Sequence, residues 1–193
     1  MRNGFNHLFG KFISKSKDGN LNLGSGSDID PAFINLDWNT ENGADFVWDL
    51  EQTPLPFKDG QFKLIVASHV LEHIKNYSEL MDDLYRILAD DGRIVIYVPY
   101  YTSQDAWASP EHVRVFNQDS WGYLNQRMYR NPGIGKYKTK IRCDFEVEQV
   151  VLLPMEKYRN HPDLLDLIRE RWNIVQEMCA VLRKESNENV CEA

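Results

Sequence analysis

The chain has 193 residues, 42% hydrophobic and 26% charged, a length and balance that fit one domain with a real core. Its formal net charge of -7 argues against a sequence-independent nucleic-acid binder, which needs a basic surface, and leaves room only for a local basic patch. No apolar run approaches the ~20 residues needed to cross a bilayer. Cys143, Cys179 and Cys191 form no Cys-x-x-Cys pair and suit free thiols in a reducing compartment, so a cytoplasmic location is expected.

Residues 1–19 read as an amphipathic segment carrying Phe5, Leu8, Phe9, Phe12 and Ile13, followed by a break rich in Ser, Lys and Gly. Polar residues interrupt its apolar positions, unlike the centre of a secretory signal. A helix laid on the domain surface is expected, a lid over a ligand being the alternative. Residues 20–193 then form one domain.

From Leu21 onward short apolar strands alternate with polar turns. Strands are predicted at 20–23, 33–37, 44–50, 62–68 and 93–98; the last two are nearly continuous apolar runs, as expected of strands covered on both faces. A helix separates them. Asn76 can cap it, with Glu79 reaching back in a capping box, Tyr77, Leu80, Leu84, Ile87 and Leu88 follow at helical spacing, and Gly92 supplies the stop. Strand, helix and strand of this length make a parallel crossover, hence an open α/β sheet. The link from residue 24 to 32 is too short for a full crossover helix, so the first helix is expected to be shortened or replaced by the N-terminal segment.

After Pro99 the chain turns aromatic, with Tyr100, Tyr101, Trp107, Phe116, Trp121 and Tyr123. A helix is predicted at 119–130, broken by Asn131-Pro132-Gly133, then a hairpin of strands at 136–144 and 145–153. A long helix is predicted at 163–184, with Leu164, Ile168, Val175, Met178 and Leu182 as its apolar stripe. That stripe is expected to pack on the chain's own sheet, with a homodimer contact as the alternative.

The first strand runs into Leu23-Gly24-Ser25-Gly26, where two glycines let the backbone turn sharply and approach a ligand. In open α/β sheets ligands bind beyond the carboxyl ends of the strands, near the reversal of strand order. Asp37 ends the second strand, where a carboxylate can accept both ribose hydroxyls of an adenosine. Asp49 ends the third and can meet the adenine amino edge, with Leu50 against the ring. Either aspartate alone reads equally as a turn residue. The set of three strand ends is what points to a nucleoside. A dinucleotide fold would require a third glycine where Ile29 stands, and an acid ~20 residues further on, later than Asp37. A glycine turn without a phosphate-binding helix suits a cofactor without a pyrophosphate.

In order and spacing, Leu21-Asn-Leu-Gly-Ser-Gly26, Ile34-Asn-Leu-Asp37, Asp49-Leu-Glu51, Pro54-Leu-Pro-Phe57, Phe62-Lys-Leu-Ile-Val-Ala-Ser-His69-Val-Leu-Glu-His73 and the Arg86 to Gly92 turn resemble the class I S-adenosylmethionine-dependent methyltransferases, in particular the small type-eleven group. The resemblance covers roughly residues 20–100. It implies a Rossmann-like, mostly parallel seven-stranded sheet with helices on both faces, S-adenosylmethionine as cofactor, a cofactor half at 20–99 and an acceptor side at 100–193. By that resemblance Gly24 and Gly26 flank the methionine part of the cofactor and Asp37 binds its ribose, with Ser25 and Trp38 also among the cofactor-binding residues. Asp49 and Leu50 frame the adenine, while Ser68 and His69 line the pocket near the sulfonium. Asp90-Asp91 departs from the family's usual Pro-Gly.

His69-Val-Leu-Glu72-His73 also fits the His-x-x-Glu-His pattern of a zinc metallopeptidase class. That chemistry needs both histidines on one helical face, whereas here a β-branched strand runs straight into His69. A zinc hydrolase is the remote alternative, and no metal is expected.

Methyl transfer is an in-line displacement, and a neutral hydroxyl acceptor needs a base for its proton. His112, in Pro110-Glu-His-Val-Arg-Val-Phe116, is the first candidate and His69 the second. Relatives carrying similar His-x-Arg-x-Phe stretches suggest a sugar-like or small hydroxyl acceptor by analogy. Glu111 and Arg114 are expected to form a solvated pair. A catalytically silent cofactor-binding or scaffold protein is the alternative from another functional class.

Overall fold

The computed structural model describes residues 13–14, 16–129 and 140–185. Seven strands make one sheet: β1 (Asn20–Leu23), β2 (Ile34–Asp37), β3 (Phe46–Val47), β4 (Phe62–Ser68), β5 (Leu88–Pro99), β6 (Phe145–Pro154) and β7 (Val175–Lys184). Their order across the sheet is β3-β2-β1-β4-β5-β7-β6. The first five run parallel, and β7 lies antiparallel between β5 and β6. The chain leaves β1 toward one edge, to β2 and β3, and returns to β4 on its other side. Strand order therefore reverses at β1, and the crevice beyond the ends of β1 and β4 is the natural ligand position.

The expected Rossmann-like, mostly parallel sheet is observed. β4 was legible residue for residue, because Leu64, Ile65 and Ala67 are buried in a continuous apolar run. The largest helix among the described residues is α1 (Tyr77–Ile87), which buries Leu80, Met81, Leu84 and Ile87 in the main apolar cluster. A smaller cluster, built on Phe33, Leu64, Val95, Cys179 and Val181, includes Ile13 of the N-terminal segment at its margin. Of the expected amphipathic segment over residues 1–19, residues 1–12 and 15 lie outside the described residues.

The first crossover is indeed shortened, and two buried asparagines take over its backbone bonding. Asn35, 1% exposed, donates to the Asp30 and Phe33 carbonyls at 3.0 and 3.1 Å and accepts from the Asp30 N–H at 3.0 Å. Asn20, fully buried, donates to the Ala32 carbonyl at 2.9 Å and accepts the Ser14 N–H at 2.8 Å. Side-chain amides thus satisfy backbone groups that a helix would have paired internally.

Several expectations need correction. The capping box at Asn76 does not form; the Glu51 carboxylate instead accepts the N–H groups of Lys75 and Asn76 at 2.7 and 2.9 Å. A carboxylate supplied from 25 residues away in sequence serves the same orphan donors. α1 stops at Ile87, ahead of Gly92, because Leu88 already pairs with Phe62 as the start of β5. The strand at 44–50 shrinks to Phe46–Val47, and the helix at 119–130 becomes a 3-10 stretch, Gln118–Leu124, followed by the short α3 (Gln126–Tyr129). α2 (Asp105–Ala108) precedes them.

The largest error concerns the C-terminal part. Only Leu164–Glu170 is helical (α4), and the rest of the predicted helix is β7. Asn173 takes a left-handed φ of 58° between the two. A strand covered on both faces is apolar at successive positions, and Met178 to Leu182 therefore also satisfied a helical stripe. With Val175, Met178 and Leu182 buried in the sheet, the homodimer contact imagined through a C-terminal helix has no such helix to use. β6 pairs with β7, not with a strand at 136–144; of that stretch, residues 140–144 are not a strand and 136–139 lie outside the described residues.

Candidate functional site

The ends of β1, β2 and β4 open onto a cleft of about 1110 Å³. Gly24, Asp37, Trp38, Asp49, Leu50 and His69 all line it. The three strand ends singled out in the sequence therefore converge on one hollow. Ser25, Gly26 and Ser68 are not among its lining residues.

Gly24 follows β1 with φ 61°, and a Cβ built there would lie 2.6 Å from Val70 Cγ2. Glycine is required on both counts, conformation and space. The turn is then fixed from β2. The Ser25 N–H donates to the Leu36 carbonyl at 3.0 Å, and the Gly26 N–H donates to Asp37 Oδ2 at 2.8 Å. Asp37 Oδ1 accepts the Asn39 N–H at 2.9 Å and the Asn42 side chain at 3.1 Å. Three of the roughly four lone-pair positions of this carboxylate are thus used by the protein. The expectation that Asp37 takes both ribose hydroxyls is narrowed to one acceptor position, on Oδ2. Asp37 is 5% exposed and Ser25 6%; the Ser25 hydroxyl is buried and makes no hydrogen bond.

On the next strand end Trp48 donates its backbone N–H to the Asp37 carbonyl at 2.9 Å. Asp49 Oδ1 accepts the Glu51 N–H at 2.9 Å, so this residue does close a turn while also lining the cleft. Leu50 is buried, whereas Trp38 is 74% exposed and Val47 50%. Exposed apolar side chains flanking a concave surface offer a flat ring something to lie against. The glycine turn, the Asp37 oxygen and these apolar walls fit the methionine, ribose and purine parts of S-adenosylmethionine.

His69 follows β4 in the left-handed region, at φ 55°, where a non-glycine residue is strained. Its N–H donates to the Tyr97 carbonyl at 2.9 Å. Its ring lies between two carboxylates, with Nε2 3.2 Å from Glu177 and Nδ1 3.3 Å from Glu72. Glu177 first, and then Glu72, push the imidazole pKa up to about 10 against the opposing effect of burial, and His69 in turn holds Glu177 below the usual carboxylate range. His69 is a cation at neutral pH and cannot serve as the proton acceptor for which it was a candidate. Glu72, 2% exposed, pairs with this ring, but among the described residues neither of its oxygens makes a hydrogen bond of good geometry.

His73, Pro110, Glu111 and Val113 also line the cleft. Residues 69–75 are turns, so His69 and His73 share no helix and the metallopeptidase geometry is not met. His112 does not line the cleft but stands behind His73, with ring centroids 4.7 Å apart in an edge-to-face contact, and its Nδ1 lies 3.1 Å from the Ala106 carbonyl oxygen. Arg114 is no solvated partner of Glu111. It donates to the Ile74 carbonyl from Nε and Nη2 at 3.1 and 2.6 Å and covers the Tyr77 ring at 4.6 Å, pinning the loop after β5 to the start of α1. Phe116 and Trp121 stack in the core, 5.1 Å apart and 6° from parallel, so that pair of the aromatic stretch is packing. Sequence reasoning gave no role to Glu51, Trp48 and Lys75 of the lining; only their neighbourhood to Asp49 and His73 pointed to them.

A profile of the methyltransferase-domain family matches residues 24–129, more than half of the chain. The chain belongs to that family. Its fold is similar to that of an S-adenosylmethionine-dependent methyltransferase from Archaeoglobus fulgidus, with a TM-score of 0.63, 14% identity, and 94% of this chain and 92% of that one covered. A protein from Bacillus halodurans is similar with a TM-score of 0.59, 15% identity, and 95% and 100% covered. In sequence, 44 residues are 41% identical to an uncharacterised protein of Methanocaldococcus jannaschii, a stretch that spans 23% of this chain and 19% of that protein. Among the described residues no helix is long and apolar enough to cross a membrane.

Proposed function

We propose that the chain transfers the methyl group of S-adenosylmethionine to a hydroxyl of a small or sugar-like acceptor. The observation that carries this reading is the convergence of Gly24, Asp37, Asp49, Leu50 and His69 on one cleft. The cofactor supplies an electrophilic methyl on a sulfonium. The chain's own residues do the rest. The bend at Gly24 brings backbone close to the methionine part, with Ser25 and Gly26 completing the turn. Asp37 Oδ2 offers its open position to a ribose hydroxyl. Trp38 and Leu50 flank the purine, with Asp49 at its edge.

His69 closes the donor end, with Ser68 preceding it at the end of β4. As a cation, His69 positions by charge and is not the base. His112 is the base on the acceptor side, next to the cleft-lining His73: its Nδ1 faces a carbonyl oxygen that can only accept, so in the neutral ring Nδ1 holds the proton and Nε2 keeps its lone pair. The acceptor must sit in line with the methyl at ~3–3.5 Å, shielded from water.

Calorimetric titration with S-adenosylhomocysteine tests the cofactor half, and transfer of labelled methyl to a panel of alcohols and sugars tests the reaction. No binding would overturn the reading. Binding without transfer to any acceptor would favour a cofactor-binding protein that does no methylation, a reading supported by the protonated state of His69.

A further inference from the structure

We propose that Glu72, His73 and His112 bind a first-row divalent transition-metal ion, zinc being the reference case, at the acceptor end of the cleft. One ligand atom from each lies within 4.8 Å of the other two. The set of two imidazoles and one carboxylate suits such ions and not calcium or magnesium, which take oxygen ligands.

Three independent features point to a cation there. First, Glu72 is 2% exposed, yet among the described residues neither of its carboxylate oxygens makes a hydrogen bond. A buried carboxylate without hydrogen bonds is costly, and the His69 ring that pairs with it at 3.3 Å is shared with Glu177, so two carboxylates divide one positive charge. Second, His112 Nδ1 is engaged with the Ala106 carbonyl at 3.1 Å, which leaves Nε2 as the ligand atom. A metal-ligating histidine characteristically donates its other ring N–H to a carbonyl or carboxylate in this way. Third, the two segments that supply the ligands are tied together, for Val113 donates its N–H to the Glu72 carbonyl at 2.9 Å. His112 is thereby held opposite Glu72 and His73 although it is about forty residues away in sequence.

Tetrahedral ligands at ~2.0–2.2 Å from an ion stand ~3.3–3.5 Å apart. The three side chains therefore draw in by about an ångström on binding, within reach of small torsional changes at χ2 of the histidines and χ3 of Glu72. Three protein ligands leave a coordination position for a water or a substrate oxygen. His73 lines the cleft, so that position opens toward it. This assignment is distinct from the zinc-peptidase pattern, since His69 is excluded by its two carboxylate partners and His112 takes part. It replaces the expectation of no metal.

The role of the ion rests on the function proposed above. An acceptor hydroxyl bound to it loses its proton to water far more readily than a free alcohol. The resulting oxygen lone pair forms the bond to the methyl carbon while the carbon–sulfur bond breaks and its electron pair passes to sulfur, giving the thioether and the methyl ether. His112 then acts as a ligand and not as a base, which accounts for its place behind His73.

The test uses the full chain freed of metal by a chelator, titrated with zinc by calorimetry, with cobalt absorption as a second readout and S-adenosylhomocysteine binding measured on the same metal-free sample. One ion per chain is expected, with affinity lowered at least ~100-fold in both His112→Asn and Glu72→Gln. Zinc should also raise the melting temperature of the natural chain and not of the variants, and the variants' own melting curves report whether they fold. The cobalt complex should show no thiolate charge-transfer band. Unchanged zinc affinity in either folded variant, a thiolate band, or much less than one ion per chain would overturn the site. Loss of S-adenosylhomocysteine binding with zinc binding intact would instead overturn the function on which its role rests.

Discussion

Gly26 donates its backbone N–H to Asp37 Oδ2 at 2.8 Å, so the residue expected to read the ribose also holds the glycine turn in place. The two roles share one carboxylate. In Asp37→Asn one side-chain atom becomes a donor, and it must face either the Gly26 N–H or the Asn39 and Asn42 donors. A charge-assisted bond is worth ~1.5–3 kcal/mol, and a mismatched buried donor costs ~1–3 kcal/mol. We expect a loss of stability of ~1–3 kcal/mol, read by denaturant unfolding, together with at least tenfold weaker S-adenosylhomocysteine binding by calorimetry. A variant that unfolds more easily but binds equally well would reduce Asp37 to a turn residue.

The two glycines of the turn should separate cleanly. At Gly24 both φ and space forbid a side chain, with Val70 Cγ2 2.6 Å from the Cβ position, while at Gly26, φ 52°, nothing lies within 4 Å. Gly24→Ala combines left-handed strain with a clash and is expected to cost ~2–4 kcal/mol; Gly26→Ala bears the strain alone, ~1 kcal/mol. Adding Val70→Ala to Gly24→Ala should recover part of the loss, whereas the same addition to Gly26→Ala should recover none. Equal melting temperatures for the two single variants would contradict this account.

His69 gives the protein a pH signature. Its folded pKa of about 10 lies above its ordinary value of 6.5. The folded chain therefore keeps a proton that the unfolded chain has lost. Stability from this group is complete below about pH 6.5 and is given up as pH rises through about 10. Glu177, depressed by the same contact, contributes above its ordinary value of 4.5 and loses that contribution as pH falls through its lowered folded value. Denaturation midpoints measured from pH 7 to 10 should fall more steeply for the natural chain than for His69→Gln. Parallel curves would mean that the ring is not protonated where the geometry places it.

How much of this was legible depends on the range of the interactions. The Gly24 turn, the place of Asp37 at the end of β2 and the extent of β4 follow from short stretches whose side chains act on their own neighbourhood, and the structure keeps all three. Asn76 misled because the residue that holds the start of α1 is Glu51, 25 positions earlier, and no local capping rule can see it. Val175 to Lys184 misled because apolar residues at successive positions carry no periodicity that separates a strand from a helix. The grouping of Glu72 and His73 with His112 was hidden for a related reason: a Val113-to-Glu72 backbone bond between distant loops creates it. His69, Glu72 and His73 look like one motif in sequence; in space the His69 ring lies between Glu72 and Glu177, while His73 packs against His112.

Trp38 offers the test least entangled with folding. It lines the cleft while 74% exposed, so its removal exposes little core, and surface changes of this kind usually stay within ±0.5 kcal/mol of stability. If its ring lies against the purine, Trp38→Ala forfeits an aromatic contact of the order measured for base stacking, ~1–3 kcal/mol, or ~5–150-fold in affinity. Trp38→Phe should keep most of it, since a ring face is what the contact needs. Comparing S-adenosylhomocysteine with homocysteine sharpens the assignment: the loss should appear for the adenosine-containing ligand alone. An equal loss for both would place Trp38 near the amino-acid end, and no loss for either would leave the purine to Leu50 and Val47.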